Sequence, residues 1–333
     1  MAHNNGKKLP TLYDLFHKNP LAGKGVSKND KLPRTFKNFF KLSWWHISTI
    51  VSVNLLFLVG NFPIFFLGFG FSGFLNETVP SPASSMLSVL FGTMQEHADP
   101  VSAALYGIHG AQGVLSATTT ATVIMYAIGA LIILTFGLTN IGTTYILRNL
   151  IKGDPVFVWH DFWYAIKRNL RQGIIMGIID LFVMLLVVYD VAFFYFNMGA
   201  FVGSMMFFAA IFLGFVYFVM RFYIYNLIIT FDLSLPKIIK NSFIFSAIGL
   251  KRNLVALLGI LVIAFLDYYL LIVLLPLGIM LPIIVLYGYC AYIACYAAWP
   301  KIKEIMVDPY VDPNKTEEEG GEEEAPVFTD DVK

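Results

Sequence analysis

Long apolar runs alternate with short polar blocks along this chain, and the runs are too long to be strands. A helix needs roughly 20 predominantly apolar residues to cross about 30 Å of hydrocarbon. Six runs meet that length, at residues 45–70, 121–146, 173–196, 201–230, 253–275 and 277–299. The pattern predicts an all-α fold, a six-helix transmembrane bundle built from three helical hairpins.

Charge orients the bundle. No Lys or Arg occurs between Lys41 and Arg148. Nine lie in the N-terminal arm, from Lys7 to Lys41. Arg148, Lys152, Lys167, Arg168 and Arg171 fall between the second and third runs, and Lys237, Lys240, Lys251 and Arg252 between the fourth and fifth. Lys301 and Lys303 follow the sixth run, while segments 71–120, 197–200 and the turn at Pro276 hold none. Cationic loops stay cytoplasmic, so both termini are expected inside a multi-pass plasma-membrane protein. Composition agrees: 57% of residues are hydrophobic and 14% charged, with a mean hydropathy of +0.69. That leaves too little polar surface to cover a soluble domain of 333 residues.

The two ends differ from the membrane domain at 33–307. Residues 1–32 are basic and broken by Pro10 and Pro20, which predicts a disordered cytoplasmic arm with no cleavable signal peptide. Residues 308–333 carry ten of the 22 acids, and a disordered acidic cytoplasmic tail is expected there. The Ser/Ala/Gly/Pro-rich segment 71–120 is expected to be an extracytoplasmic linker or cap, with an apolar run at 86–94 dipping into the outer interface. Cys290 and Cys295 are five apart inside the last apolar run, where small packing residues are expected rather than a disulfide or metal pair.

Each hairpin follows a basic segment rich in aromatic and aliphatic residues. The first contains Lys37 and Lys41, the second Lys167, Arg168 and Arg171, the third Lys237, Lys240, Lys251 and Arg252. These predict three cytoplasmic interfacial helices touching the anionic lipids of the inner leaflet. Asp161 and Ser234-Leu-Pro236 supply helix-start signals. Lys-Arg-Asn-Leu occurs at 167–170 and again at 251–254, each time at the mouth of an odd-numbered run, and suggests an internal repeat.

Gly142, Gly153-Asp154, Asp161-Phe162, Lys167, Asn169 and Gln172 form a glycine-containing span end, a turn and a basic stretch. Together with Asn54-Leu-Leu-Phe, Asn61-Phe-Pro63 and the 231–243 segment, they resemble the YesL-like family of bacterial integral membrane proteins. The resemblance covers about residues 32–308, although segment 71–120 is longer than the tight first hairpin usual in that family. No activity is established for the family, so the resemblance implies no catalytic residue. Its members are often encoded beside carbohydrate ABC-transporter and polysaccharide-utilisation components. The resemblance therefore implies an accessory or regulatory subunit, with an ABC-transporter permease or another membrane complex as partner.

Ionisable groups inside a span are candidates for function because burying them is unfavourable. Asp180, Asp190, Arg221 and Asp267 are the four. At ~1.5 Å per residue, Asp180 lies about 12 Å and Arg221 about 15 Å from the cytoplasmic end, on adjacent antiparallel helices. They are expected to pair, either as a structural ion pair that fixes register or as a gate or relay. Asp267, beside Tyr268 and with no cation at its depth, is the candidate polar contact of an alternative reading, an autonomous transporter or channel that also uses Asn226. Asn226 is further expected to help satisfy Arg221. Gly173-x-x-x-Gly177 offers a close helix approach. His160-Asp161 lacks a neighbouring nucleophile or second ligand, and no nucleotide-binding, metalloprotease or serine-hydrolase motif occurs. Neither an enzyme, a cofactor, a metal nor a nucleic-acid partner is expected.

Overall fold

The structure, a computed structural model, describes residues 36–82, 99–101, 104, 112–199 and 201–310. The 1–32 arm, the 86–94 run and the tail beyond residue 310 lie outside the described residues. Two compact units divide between Trp45 and His46. In the first, helix α1 (Phe36–Trp45) carries Lys37 and Lys41, and the Lys41 ammonium lies 4.4 Å from the Trp45 ring centre.

The second unit begins with α2 (Ile47–Gly60) and α3 (Pro63–Phe71), then a two-stranded antiparallel sheet of β1 (Glu77–Pro82) and β2 (Gln112–Ala117). Helices α4 (Thr120–Gly129) and α5 (Ile132–Lys152) form one continuous span. After them come α6 (Val158–Arg168), α7 (Leu170–Phe196), α8 (Phe201–Thr230), α9 (Leu235–Ile248) and α10 (Leu250–Val273). The last span comprises α11 (Leu275–Leu281), a π-helical stretch at Pro282–Leu286 and α12 (Tyr287–Ile302), and extends to Val307. Among the described residues, five helices are long and apolar enough to cross a membrane, and there are up to six if Phe36–Trp45 and Ile47–Gly60 are counted together.

Three expectations about the helices need correction. The run at 45–70 is not one helix: it stops at Gly60 and restarts at Pro63. Proline suits the first turn of a helix, where its missing N–H is not needed, and Asn61 turns its side-chain amide back onto the Phe57 carbonyl (2.9 Å). The second span reaches Lys152, two turns past its expected end, and closes on Gly153 at φ 83°. Glycine takes this left-handed cap without the steric penalty of a Cβ. Segment 71–120, expected to be a linker or cap, contains the β1–β2 pair. Asn76 ties the foot of that pair to α4: its amide donates to Ser116 Oγ (3.0 Å) and its carbonyl accepts from Thr122 Oγ1 (2.8 Å).

Finally, the recurring tetrapeptide does not occupy equivalent places. The chain breaks for a single residue before α2, α7 and α10, at His46 (φ −114°, ψ 24°), Asn169 (φ −116°, ψ 24°) and Gly249 (φ −82°, ψ 11°). Lys167 precedes its break by two residues and Lys251 follows its break by two. The repetition that survives is the break, with nearly the same backbone conformation three times.

Packing sorts the helices into inner and outer. Helices α5, α8 and α12 pack pairwise against one another. Helix α2 packs against α12 and α5, α7 against α5 and α8, and α10 against α12. Burial follows: α5, α8 and α12 bury long faces, including Ile141, Tyr223 and Tyr292, whereas α7 buries only Gly173, Met176, Gly177 and Asp180. The apolar sides of α7 and α10 instead face outward, as lipid-facing helices do. Helix α6 rests on α5, and α9 on α8.

Candidate functional site

A carboxylate buried at the α7–α8 contact organises the most polar part of the spans. Asp180 has no exposed surface. Tyr217, Arg221 and Tyr225 stand four residues apart on α8, so the helical period puts all three on one face. All three converge on Asp180. Tyr217 Oη donates to Oδ1 (2.9 Å) and Tyr225 Oη to Oδ2 (2.6 Å). Arg221 Nε lies 2.9 Å from Oδ1 and 3.0 Å from Oδ2. The Arg221 guanidinium also sits 5.6 Å from the Phe136 ring centre on α5. The cluster is neutral as a whole, and the carboxylate accepts from three side chains of α8. Such a group holds two helices in register.

Close backbone contact positions this cluster. Gly137 on α5 faces Gly173 and Gly177 on α7, and a Cβ on Gly177 would lie 2.6 Å from Gly137 Cα. The small residues bring α7 against α5 one turn from Asp180, as small-residue crossings do in lipid.

Arg148 was placed by its charge among the loop residues, but it is buried in α5 at 8% exposure. Its Nη1 donates to Ile229 O and to Thr230 Oγ1, both at 3.0 Å, and its Nη2 to Asn149 Oδ1 at 3.1 Å. The guanidinium lies between the Tyr145 and Trp299 rings, 4.8 and 5.8 Å from their centres. No carboxylate pairs with it among the described residues. Asn54 links the first and last spans: its amide donates to the carbonyls of Pro282 (3.0 Å) and Ile283 (2.7 Å), and its Oδ1 accepts from Gly288 N (2.9 Å). A π-helical stretch frees backbone carbonyls, and Asn54 satisfies them.

The three residues of the alternative pathway are not brought together by hydrogen bonds among the described residues. Asp267 is buried at 7% exposure and its Oδ1 has no hydrogen-bond partner. Tyr268 is 62% exposed. Asn226 is buried, donates to Phe222 O (2.8 Å) and accepts from Cys295 Sγ (3.3 Å). Its side chain bonds to these groups and not to Arg221, contrary to expectation.

Of the interfacial cations, Lys37, Lys41, Lys167, Arg168, Arg171, Lys237, Lys240 and Lys251 are exposed, whereas Arg252 Nη2 donates to Tyr296 O (3.3 Å). Helix α6 is amphipathic: Phe162, Ala165 and Ile166 are buried while Trp159 and Trp163 are exposed. The helix starts at Val158 and not at Asp161, which lies in its first turn and accepts from Phe157 N (2.9 Å).

No family model, curated protein or solved structure matches this chain.

Proposed function

We propose that this protein is an accessory or regulatory subunit of the bacterial plasma membrane, non-enzymatic, with both termini cytoplasmic. It would act beside a carbohydrate ABC transporter or another envelope polysaccharide system, as the resemblance to the YesL-like family implies. The three breaks and the inner and outer helices fit three units, each an interfacial helix followed by a hairpin. The observation that most supports the reading is that Asp180, Arg148 and Asn54 spend their polar groups on partners within the chain. What remains for other molecules is the amphipathic outer surface, with the exposed tryptophans and cations of α6.

A cross-linked, mild-detergent pull-down of tagged protein from its native host tests this. Stoichiometric recovery of a permease or other envelope complex, lost when Lys167, Arg168, Lys251 and Arg252 are neutralised together, is the expected result. Recovery of the protein alone would overturn it. A second reading, an autonomous transporter, is favoured by the unpartnered Oδ1 of Asp267. There Asp267→Asn would abolish uptake in reconstituted vesicles with folding intact, while an accessory subunit would tolerate the change.

A further inference from the structure

Where α6 meets α7, the basic end of the second unit opens into a cleft of about 310 Å³ against the end of α8. Its lining includes Arg168, Arg171 and Gln172 on one side and Thr230 and Asp232 on the other. That volume is at the lower end of ordinary small-ligand sites, about 300–1,000 Å³. Arg168 reaches only the Tyr164 hydroxyl (3.3 Å), and neither arginine pairs with a carboxylate among the described residues. Asp232, the one acid in the lining, is not within ion-pair distance of either. A third cation stands behind the wall: Arg148 Nη1 bonds Ile229 O and Thr230 Oγ1, and both residues line the cleft. Two arginines therefore line a space that holds one carboxylate, and a third guanidinium is bonded to residues of its wall. At the corresponding junction of α9 and α10, Arg252 is instead taken up by the Tyr296 carbonyl.

We propose that this cleft binds a phosphate group, with Arg168 and Arg171 as its ligands and Arg148 as a fixed positive background. Guanidinium groups match phosphate oxygens in charge and in hydrogen-bond geometry. Arg168 ends α6, the helix that carries the exposed Trp159 and Trp163, and an interfacial α6 puts the cleft at headgroup depth, so the phosphodiester of an anionic phospholipid is the expected source. The assignment depends on the membrane placement of α6 and not on any role beside a sugar transporter.

Native mass spectrometry of the full-length protein in detergent, titrated separately with phosphatidylglycerol, phosphatidylcholine and inorganic phosphate, tests it. One phosphatidylglycerol is expected to be held selectively, and R168Q/R171Q should weaken it about tenfold or more. K237Q/K240Q removes the same charge on α9 and should leave binding within about twofold. D232N removes the opposing carboxylate and should tighten binding several-fold; it also decides the matter if R168Q/R171Q fails to fold. Retention of inorganic phosphate with no lipid preference would keep the phosphate site and make its ligand a soluble one. Equal binding by wild type and R168Q/R171Q, equal losses in the two double variants, or no change in D232N would overturn the proposal.

Discussion

Gly137 and Gly177 meet backbone to backbone across the α5–α7 crossing, with a Cβ on Gly177 falling 2.6 Å from Gly137 Cα. No side-chain rotation can relieve such a contact. Gly177→Ala is therefore expected to force the helices apart and destabilise the protein by about 1–3 kcal/mol. Gly259→Ala is the control: its Cβ would meet nothing closer than Ile293 Cδ1 at 4.0 Å. Thermal unfolding in one detergent should show the first variant lowered and the second neutral or raised, since alanine is the better helix former.

The Asp180 cluster gives an asymmetric result on mutation. Arg221→Met leaves a buried carboxylate with only two hydroxyl donors and should destabilise by about 3–5 kcal/mol. Adding Asp180→Asn removes the stranded charge and should recover most of the loss. A transport relay would predict instead that the double variant folds well but loses its activity, so unfolding and uptake measured on the same samples separate the two.

Asn54 holds the π-helical stretch with three hydrogen bonds. At roughly 0.6 kcal/mol per interhelical bond, Asn54→Leu is expected to lose about 2 kcal/mol in total. Hydrogen exchange should accelerate at residues 282–288 while the Asp180 cluster keeps its protection. Uniform acceleration across the protein would show that Asn54 does not act locally.

Aromatic depth is measurable with single-tryptophan variants and brominated lipids. Trp159 at 66% exposure and Trp163 at 43% should be quenched more by bromine near the headgroup than by bromine deep in the acyl chain. Trp299, 4% exposed, should be quenched by neither. Strong quenching of Trp159 by deep bromine would contradict an interfacial α6.

How much of this could be read from the sequence depends on range. Apolar length found the long helices, and counting residues from the basic ends brought Asp180 and Arg221 to one level, where the structure has them in contact. Tyr217 and Tyr225 were missed, though their spacing of four on either side of Arg221 was the available signal. Arg148 was missed because the second run was ended at residue 146, which left this arginine in the following loop. The left-handed Gly153 was the clue that α5 runs two turns further. Asn61-Phe62-Pro63 likewise announced the break between α2 and α3. The β1–β2 pair had no such local signal: its strands lack the period-2 alternation of a half-buried sheet, and 40 residues separate Asn76 from Ser116, its partner at the foot.

The Asp180–Arg221 pair also bears on how the protein is made. Each partner lies on a separate apolar helix, and a lone charge at the centre of such a helix opposes insertion by about 2.5–3.5 kcal/mol. Residues 197–200 are all that joins the two helices. A ribosome delivering α7 alone presents the translocon with an uncompensated acid, and the compensating base emerges only when α8 is nearly complete. Pairing with Arg221 offsets that cost once α8 has followed α7 into the bilayer, so the pair favours the inserted hairpin over α7 alone.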